Sequence, residues 1–313
     1  MHLLSEESLS RYTSNRRVTA FLGAAVVLLS LAFLAYLIYR SWPTLRAIDT
    51  ELDFGQIALT LLFNICAYVI AIWSWHSIMT RLSGQRNLRL DAIVYCYSAV
   101  ARRLPGIAWD IAARVVMYDQ AGVSKALVAL ASLLEMLLII VAGIVSYLAL
   151  APFTLSYLSI PGSWALICAL LVGGILIHPA VVTYGVHKVR KDKLPVSLQY
   201  SDTLYWLFMY VLTWIVSGFL LYATIRSFYG LSPTHLPQLL ADWALAGVLT
   251  SFITFVPTGL GLKELTLTLL MSRYMPEPIA AIGAVSVRLL TTGYSIVWAV
   301  IFNRWANSAG SSA

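Results

Sequence analysis

Six largely apolar runs set the limits on what this chain can become. They lie at 18–39, 56–79, 125–150, 164–187, 200–225 and 279–301, and each holds 22 to 26 residues. At 1.5 Å per residue such runs make helices of about 33–39 Å, enough to cross the roughly 30 Å of bilayer hydrocarbon. In lipid every backbone N–H and C=O must find its partner within the protein, so single segments of this length are expected as helices. The composition agrees: 60% of the 313 residues are hydrophobic and 11% are charged, with mean hydropathy +0.80, where a soluble domain carries about 25% charged residues. The expectation is an all-α, polytopic integral membrane protein forming a single membrane domain, with no room for a soluble one. The first run, Val18 to Tyr39, follows Arg11, Arg16 and Arg17 as a signal peptide's core would. It is longer than the roughly 7–15 residues of such a core, so it is expected to remain as a membrane helix.

The net charge of +7 and pI near 9.3 do not point to nucleic acid. The Lys and Arg residues cluster in short loops beside apolar runs, which is how cytoplasmic loops are marked in membrane proteins. Cys66, Cys96 and Cys168 all lie in apolar runs without CxxC spacing, and His2, His76, His178, His187 and His235 are scattered. Neither a disulfide framework nor a metal site is expected, and no cofactor. His178-Pro179 reads as a kink with a satisfied histidine. The chain lacks both the GxxxxGK[ST] phosphate loop and the GxSxG elbow, so ATP hydrolysis and serine hydrolase chemistry are unsupported.

Counting crossings between basic turns exposes two unusual segments. The turns at 11–17, 81–89 and 188–193 are each taken as cytoplasmic. Residues 90–123 then contribute no net crossing, and their arms, 91–104 and 107–120, would each reach about 21 Å. They are expected as a re-entrant hairpin entering from the cytoplasm. The same count makes 238–273 a second hairpin entering from outside, although its arm at 238–256 is long enough to span alone. The layout becomes a cytoplasmic segment 1–17, a first repeat 18–150, a second repeat 164–301 and a cytoplasmic tail 302–313, with span, span, hairpin and span in each repeat. The first repeat starts inside and the second outside, an inverted-topology repeat. Of 21 Lys and Arg, 12 fall inside and 4 outside on this layout, which places both termini in the cytoplasm of a cell (plasma or inner) membrane. Glu135 follows Pro105 by 30 residues and Arg288 follows Pro257 by 31. These charges occupy matching places and are expected to pair across the repeat axis.

The hairpin tips carry the most distinctive residues. The first reads Arg102-Arg103-Leu104-Pro105-Gly106-Ile107-Ala108-Trp109-Asp110-Ile111-Ala112-Ala113-Arg114, followed by Gly122-Val123-Ser124 and the mid-span Glu135. The second reads Pro257-Thr258-Gly259-Leu260-Gly261-Leu262-Lys263-Glu264. Together these strings resemble the membrane domain of the lysylphosphatidylglycerol synthase family, a flippase-like domain also found as stand-alone bacterial and archaeal membrane proteins. The resemblance covers roughly residues 15–305. It departs from the family at Thr258, where P-G-G-x-G-x-x-E has a glycine, at Trp109, where a glycine often precedes the aspartate, and at Met136, where an arginine often follows the acidic residue. It implies a lipid translocator rather than an enzyme, since aminoacyl transfer in that family belongs to a separate soluble domain.

A helix that starts inside the membrane offers free N–H groups and the positive end of its dipole to an anion. With Arg102, Arg103 and Arg114 nearby, and Lys263 and Glu264 at the second tip, the expected guest is the phosphate of a lipid headgroup. The substrate-binding set is thus Arg102, Arg103, Asp110, Arg114, Lys263 and Glu264; the alternative for each is pairing that merely holds the hairpins together. Glu264 is read either as a structural partner or as a proton-coupling carboxylate. Pro105, Gly106, Pro257, Gly259 and Gly261 are hinge or close-approach positions. Two other functions stay open: a membrane-embedded lipid or glycosyl transferase with Asp110 or Glu264 as general base, disfavoured by short non-cytoplasmic loops, and a non-transporting scaffold subunit. Membrane lipids are the expected partners, with a homo-oligomer or a membrane partner left open.

Overall fold

The computed structural model describes residues 39, 52–102, 109–150, 160–189, 198–253 and 262–308. They form α1 (Phe54–Ser83), α2 (Leu88–Ala101), α3 (Trp109–Gln120), α4 (Lys125–Ala149), α5 (Ile160–Leu176), α6 (Pro179–Val189), α7 (Tyr200–Arg226), α8 (Leu236–Ile253), α9 (Leu262–Met271) and α10 (Glu277–Ser308), with a 3-10 turn at Pro233–His235. No strand occurs among the described residues. Helices α1, α4, α7 and α10 are long and apolar enough to cross a membrane, and α5 with α6 makes a fifth span if the pair is one bent helix. The chain therefore fits the expected class, a multi-pass helical membrane protein. The first expected span, apart from Tyr39, lies outside the described residues.

Local chemistry sets the breaks between helices. Asp53 caps α1 by accepting from the Gln56 N–H at 3.1 Å, and Asn87 caps α2 by accepting from Leu90 at 3.0 Å, each satisfying an amide the helix leaves open. Gly84 closes α1 at φ 76°, and Gly122 turns the chain between α3 and α4 at φ 78°, a left-handed backbone that glycine adopts without a Cβ penalty. Between α5 and α6 the axis bends by 49° at His178-Pro179. Proline opens α6 where its missing N–H is not needed. His178 Nδ1 accepts from the Ala180 N–H at 3.2 Å, and its other ring nitrogen bonds the Tyr200 hydroxyl. The kink with a satisfied histidine is therefore present.

At the centre, α1 and α7 lie antiparallel along their whole length. The Asp53 N–H donates to the Ser227 carbonyl at 3.0 Å where α1 begins, and Arg81 pairs with Asp202 at 2.8 Å where α1 ends and α7 begins. The packing around this pair is matched when α1, α2, α3 and α4 are exchanged for α7, α8, α9 and α10. Thus α2 packs on α3 as α8 does on α9, α3 on α4 as α9 on α10, and α1 on α2 as α7 on α8. The first arms cross over to the other half, α2 against α10 and α8 against α4. Helix α4 packs on α7; the corresponding α1 and α10 are joined by Thr60 to Tyr294 at 2.9 Å, Tyr68 to Ser295 at 2.6 Å and Trp298 to Asn64 at 3.1 Å.

Two buried clusters form the core, one around Trp75, Tyr118, Trp206 and Tyr210 and one around Leu221, Ile225, Trp243 and Met271. Large apolar side chains such as Leu62, Val69, Leu171, Ile175, Phe208 and Leu269 are exposed on the outside. Such a surface is unusual in water and suits contact with lipid chains.

Candidate functional site

In the first half the site is built on α3. Its Arg114 comes five residues after Trp109 opens the helix, and it points inward to Glu135 on α4, where Nη1 bonds Oε2. Both side chains are 2% exposed. The remaining contacts explain how a charge is tolerated at this depth. Arg114 Nε donates to Ser98 Oγ on α2 at 3.0 Å, and the guanidinium lies 3.9 Å above the Trp75 ring of α1. The Tyr210 hydroxyl of α7 donates to Glu135 Oε1 at 3.1 Å. Five helices thus converge on one ion pair, and among the described residues only Arg114 Nη2 of the pair is left without a hydrogen-bond partner.

The second half repeats the arrangement with the charges exchanged. Glu264, in the first turn of α9, accepts from Arg288 Nη1 of α10 at 2.6 Å. A carboxylate there also faces the positive end of the helix dipole. This pair is less sealed, with Arg288 21% and Glu264 7% exposed. It borders an open cleft whose walls include Trp243, Lys263, Glu264, Arg288 and Thr291. Lys263 Nζ sits 3.6 Å above the Trp243 ring, a cation–π contact. Among the described residues the buried Glu264 Oε2 has no hydrogen-bond partner.

The expected pairing of Glu135 with Arg288 is therefore corrected. Each bonds instead to the second arm of its own hairpin, Glu135 to Arg114 and Arg288 to Glu264. The physical reason is local. The second arm is joined to the following span by a short turn and packs along it, as α3 does on α4 and α9 on α10, so its charge meets that span before any charge of the opposite half can. The equivalence of positions survives, but it is an equivalence between two pairs.

A second matched contact was not anticipated from the sequence. Tyr118, near the end of α3, donates to Asp91 Oδ1 near the start of α2, and Tyr274, just after α9, donates to Asp242 Oδ2 of α8 at 3.0 Å. Each hairpin is therefore fastened between its arms by a tyrosine and a buried aspartate. In the first, His76 Nδ1 lies 2.5 Å from Asp91 Oδ2, and the Trp75 indole donates to the Tyr118 hydroxyl at 2.9 Å. In the second, His235 stacks on Tyr274 with ring centroids 5.2 Å apart. The signal was in the spacing: Asp91 precedes Pro105 by 14 residues and Asp242 precedes Pro257 by 15.

Of the other expected site residues, Arg102 and Asp110 come together across the first break, Nε to Oδ2 at 2.9 Å. Arg102 is 46% exposed, so the pair is worth at most about 1 kcal/mol. Arg103, Pro105, Gly106, Pro257, Gly259 and Gly261 lie outside the described residues. Among the described residues no group of His, Cys, Asp or Glu is arranged to hold a metal ion.

The class that fold and site define is a multi-pass helical membrane protein with two matched internal ion pairs, one sealed and one beside a cleft. Neither protein-family models nor curated proteins give a match to the chain.

Proposed function

We propose that the chain is a flippase-like transporter that moves an anionic or modified lipid, a phospholipid or a polyprenyl-phosphate-linked lipid, between leaflets. In this proposal α2 with α3 and α8 with α9 are re-entrant hairpins of an inverted-topology repeat. Their lengths favour it: α2, α3 and α9 reach about 21, 18 and 15 Å, short of roughly 30 Å of hydrocarbon. The antiparallel α1 and α7 and the matched packing around them favour inversion, because equivalent helices of inverted repeats run in opposite directions.

The observation that carries the function is the cleft beside the second ion pair. Lys263, Glu264 and Arg288 line it together, within a chain whose other surfaces suit lipid. A charged group kept at membrane depth marks a pathway more often than a decoration. The cleft is partly open, which lets a headgroup enter while the acyl chains stay in the bilayer. Arg114 and Glu135 serve as the fixed pivot of the first half, and rocking of one half against the other about α1 and α7 supplies alternating access. Arg102 with Asp110 steadies the first tip. The membrane is the cell membrane, with both termini cytoplasmic.

The test is leaflet exchange of fluorescent phospholipid in proteoliposomes, read by dithionite quenching. Exchange above protein-free vesicles, lost in Lys263→Met with Arg288→Met, is expected. Exchange at the protein-free rate for each of phosphatidylethanolamine, phosphatidylglycerol and polyprenyl phosphate would remove the proposal.

A further inference from the structure

We infer that the seam between α1 and α10 admits the polar headgroup of a lipid from the cleft, and that Thr60, Asn64, Tyr68, Tyr294 and Ser295 bind it on the way. The inference rests on the transport proposal and extends its site from a cleft into a route.

The argument starts from a difference between the halves. Counted from the matched charges Glu135 and Arg288, the residues three, six, seven and ten further on are Leu138, Val141, Ala142 and Val145 in α4 but Thr291, Tyr294, Ser295 and Trp298 in α10. That spacing keeps each set on one face of its helix. On α4 the face is aliphatic and tightly buried, with Leu138, Val141 and Ala142 at most 2% exposed. Packing at this place in the fold therefore needs no polar group. On α10 the same face meets α1 through polar side chains instead. The Tyr294 hydroxyl bonds Thr60 Oγ1 at 2.9 Å, the Tyr68 hydroxyl donates to Ser295 Oγ at 2.6 Å, and the Trp298 indole donates to Asn64 Oδ1 at 3.1 Å. Thr60, Asn64 and Ser295 are 1%, 3% and 0% exposed, inside two helices long enough to span a membrane. Hydrogen bonds between helices in lipid contribute little to their association, and polar groups at that depth mark pathways.

The polar row begins at the cleft, which Arg288 and Thr291 both line. From Arg288 to Trp298 it runs about 15 Å along the helix, roughly half the hydrocarbon thickness. It also borders lipid: the residue after each polar one on α1, Leu61, Ile65 and Val69, is exposed, as are Ile296 and Val297 on α10. A molecule polar at one end and apolar at the other fits such a border. The seam can open for it at small cost, because α1 and α10 meet through long side chains rather than by close backbone approach. Each hydroxyl and the Asn64 amide then trades a protein partner for a headgroup oxygen, so no polar group is left unpaired.

The measurement places Ser295→Cys, or Ala142→Cys at the equivalent and equally buried position of α4, in the full chain with its native cysteines changed to alanine. Each protein is reconstituted in phosphatidylcholine vesicles containing phosphatidylethanolamine with a maleimide on its headgroup. Ser295→Cys is expected to react about tenfold faster than Ala142→Cys, because the seam on α10 opens to headgroups and the one on α4 does not. If Ser295→Cys fails to fold, Thr60→Cys reads the same route from α1. Equal rates at the two positions overturn the inference. So does reaction with a soluble, membrane-impermeant maleimide but not with the lipid, which would make the seam a water path. Tyr68→Phe with Ser295→Ala removes both partners of one bond, so the melt stays within about 2 °C of the parent, while leaflet exchange slows about tenfold. Exchange within about twofold of the parent overturns the inference as well. Preferred headgroup reaction of Ser295→Cys in a protein whose parent shows no exchange refutes transport and leaves the headgroup seam standing.

Discussion

Arg114→Met keeps most of the side chain's volume and deletes its charge, leaving Glu135 alone among α3, α4 and α7 with only the Tyr210 hydroxyl at 3.1 Å. The loss can be worked from its parts. The change removes the ion pair, the bond to Ser98 at 3.0 Å and the cation 3.9 Å from Trp75. Breaking a pair this deeply buried destabilises by about 3–5 kcal/mol, because a charge is left without its partner. At about 2 °C per kcal/mol for a chain of this size, the melting temperature falls by about 6–10 °C. Glu135→Gln strands the guanidinium instead and falls in the same range. The double variant Arg114→Met with Glu135→Leu buries no lone charge, so it melts closer to the parent than either single, the coupling expected of two residues in contact. The assay is a thermal melt in detergent with a thiol-reactive dye, Cys66 and Cys168 being replaced by alanine so that the buried Cys96 of α2 reports opening. The charge-exchanged variant, Arg114→Glu with Glu135→Arg, recreates the order of Glu264 and Arg288. It regains part of the loss, since the pair returns while Trp75 loses its cation. Singles within about 2 °C of the parent, or a double variant that loses the sum of both, would refute this account of the pair.

Tyr274→Phe leaves the buried Asp242 without the hydroxyl that donates to it and lowers the same melt by an amount matching about 1–3 kcal/mol; Tyr118→Phe does likewise through Asp91 and Trp75, and the two losses add because they sit in different hairpins. A Cβ at Gly247 would stand 2.1 Å from the Trp214 ring, so Gly247→Ala destabilises by about 1–3 kcal/mol through overpacking, and Trp214→Leu in the same chain relieves it. Cysteines at Arg86 and Gly230, one after α1 and one after α7, react with a membrane-impermeant maleimide from opposite sides of oriented vesicles; labelling from the same side would sink the inverted arrangement.

How much of this was legible in the sequence depends on the range of the interaction. The apolar runs, the turn at 81–89 and the kink at His178-Pro179 follow from local rules about length, charge and missing amides, and they were read directly. The equivalence of Glu135 and Arg288 was also visible, because a repeat preserves spacing. Their partners were not, since spacing along the chain says nothing about which neighbour a side chain reaches first. Asp91 and Asp242 escaped for a related reason. Asp91 looks like an ordinary first-turn residue and Asp242 like a lone polar position in an apolar helix until the tyrosine from the other arm is seen to close on each.

The two ion pairs share a place in the fold and differ in surroundings, and the difference decides what each can do. Between unit charges 4 Å apart, attraction is about 4 kcal/mol at an effective dielectric of 20 and about 1 kcal/mol in water. Arg114 and Glu135, both 2% exposed and covered by Trp75 and Tyr210, lie far toward the strong end, and no anion could replace Glu135 without first opening α1, α2 and α7 around it. Arg288, 21% exposed at the cleft, lies nearer the weak end, where a phosphate making charge-assisted bonds to it and to Lys263 can compensate for a loosened contact with Glu264. Under the transport proposal the first pair therefore holds its half rigid through the cycle, and the second is the one that exchanges partners. On that proposal the same chemistry placed twice acts in one half as a fastening and in the other as a receptor, because only the second pair borders a cleft.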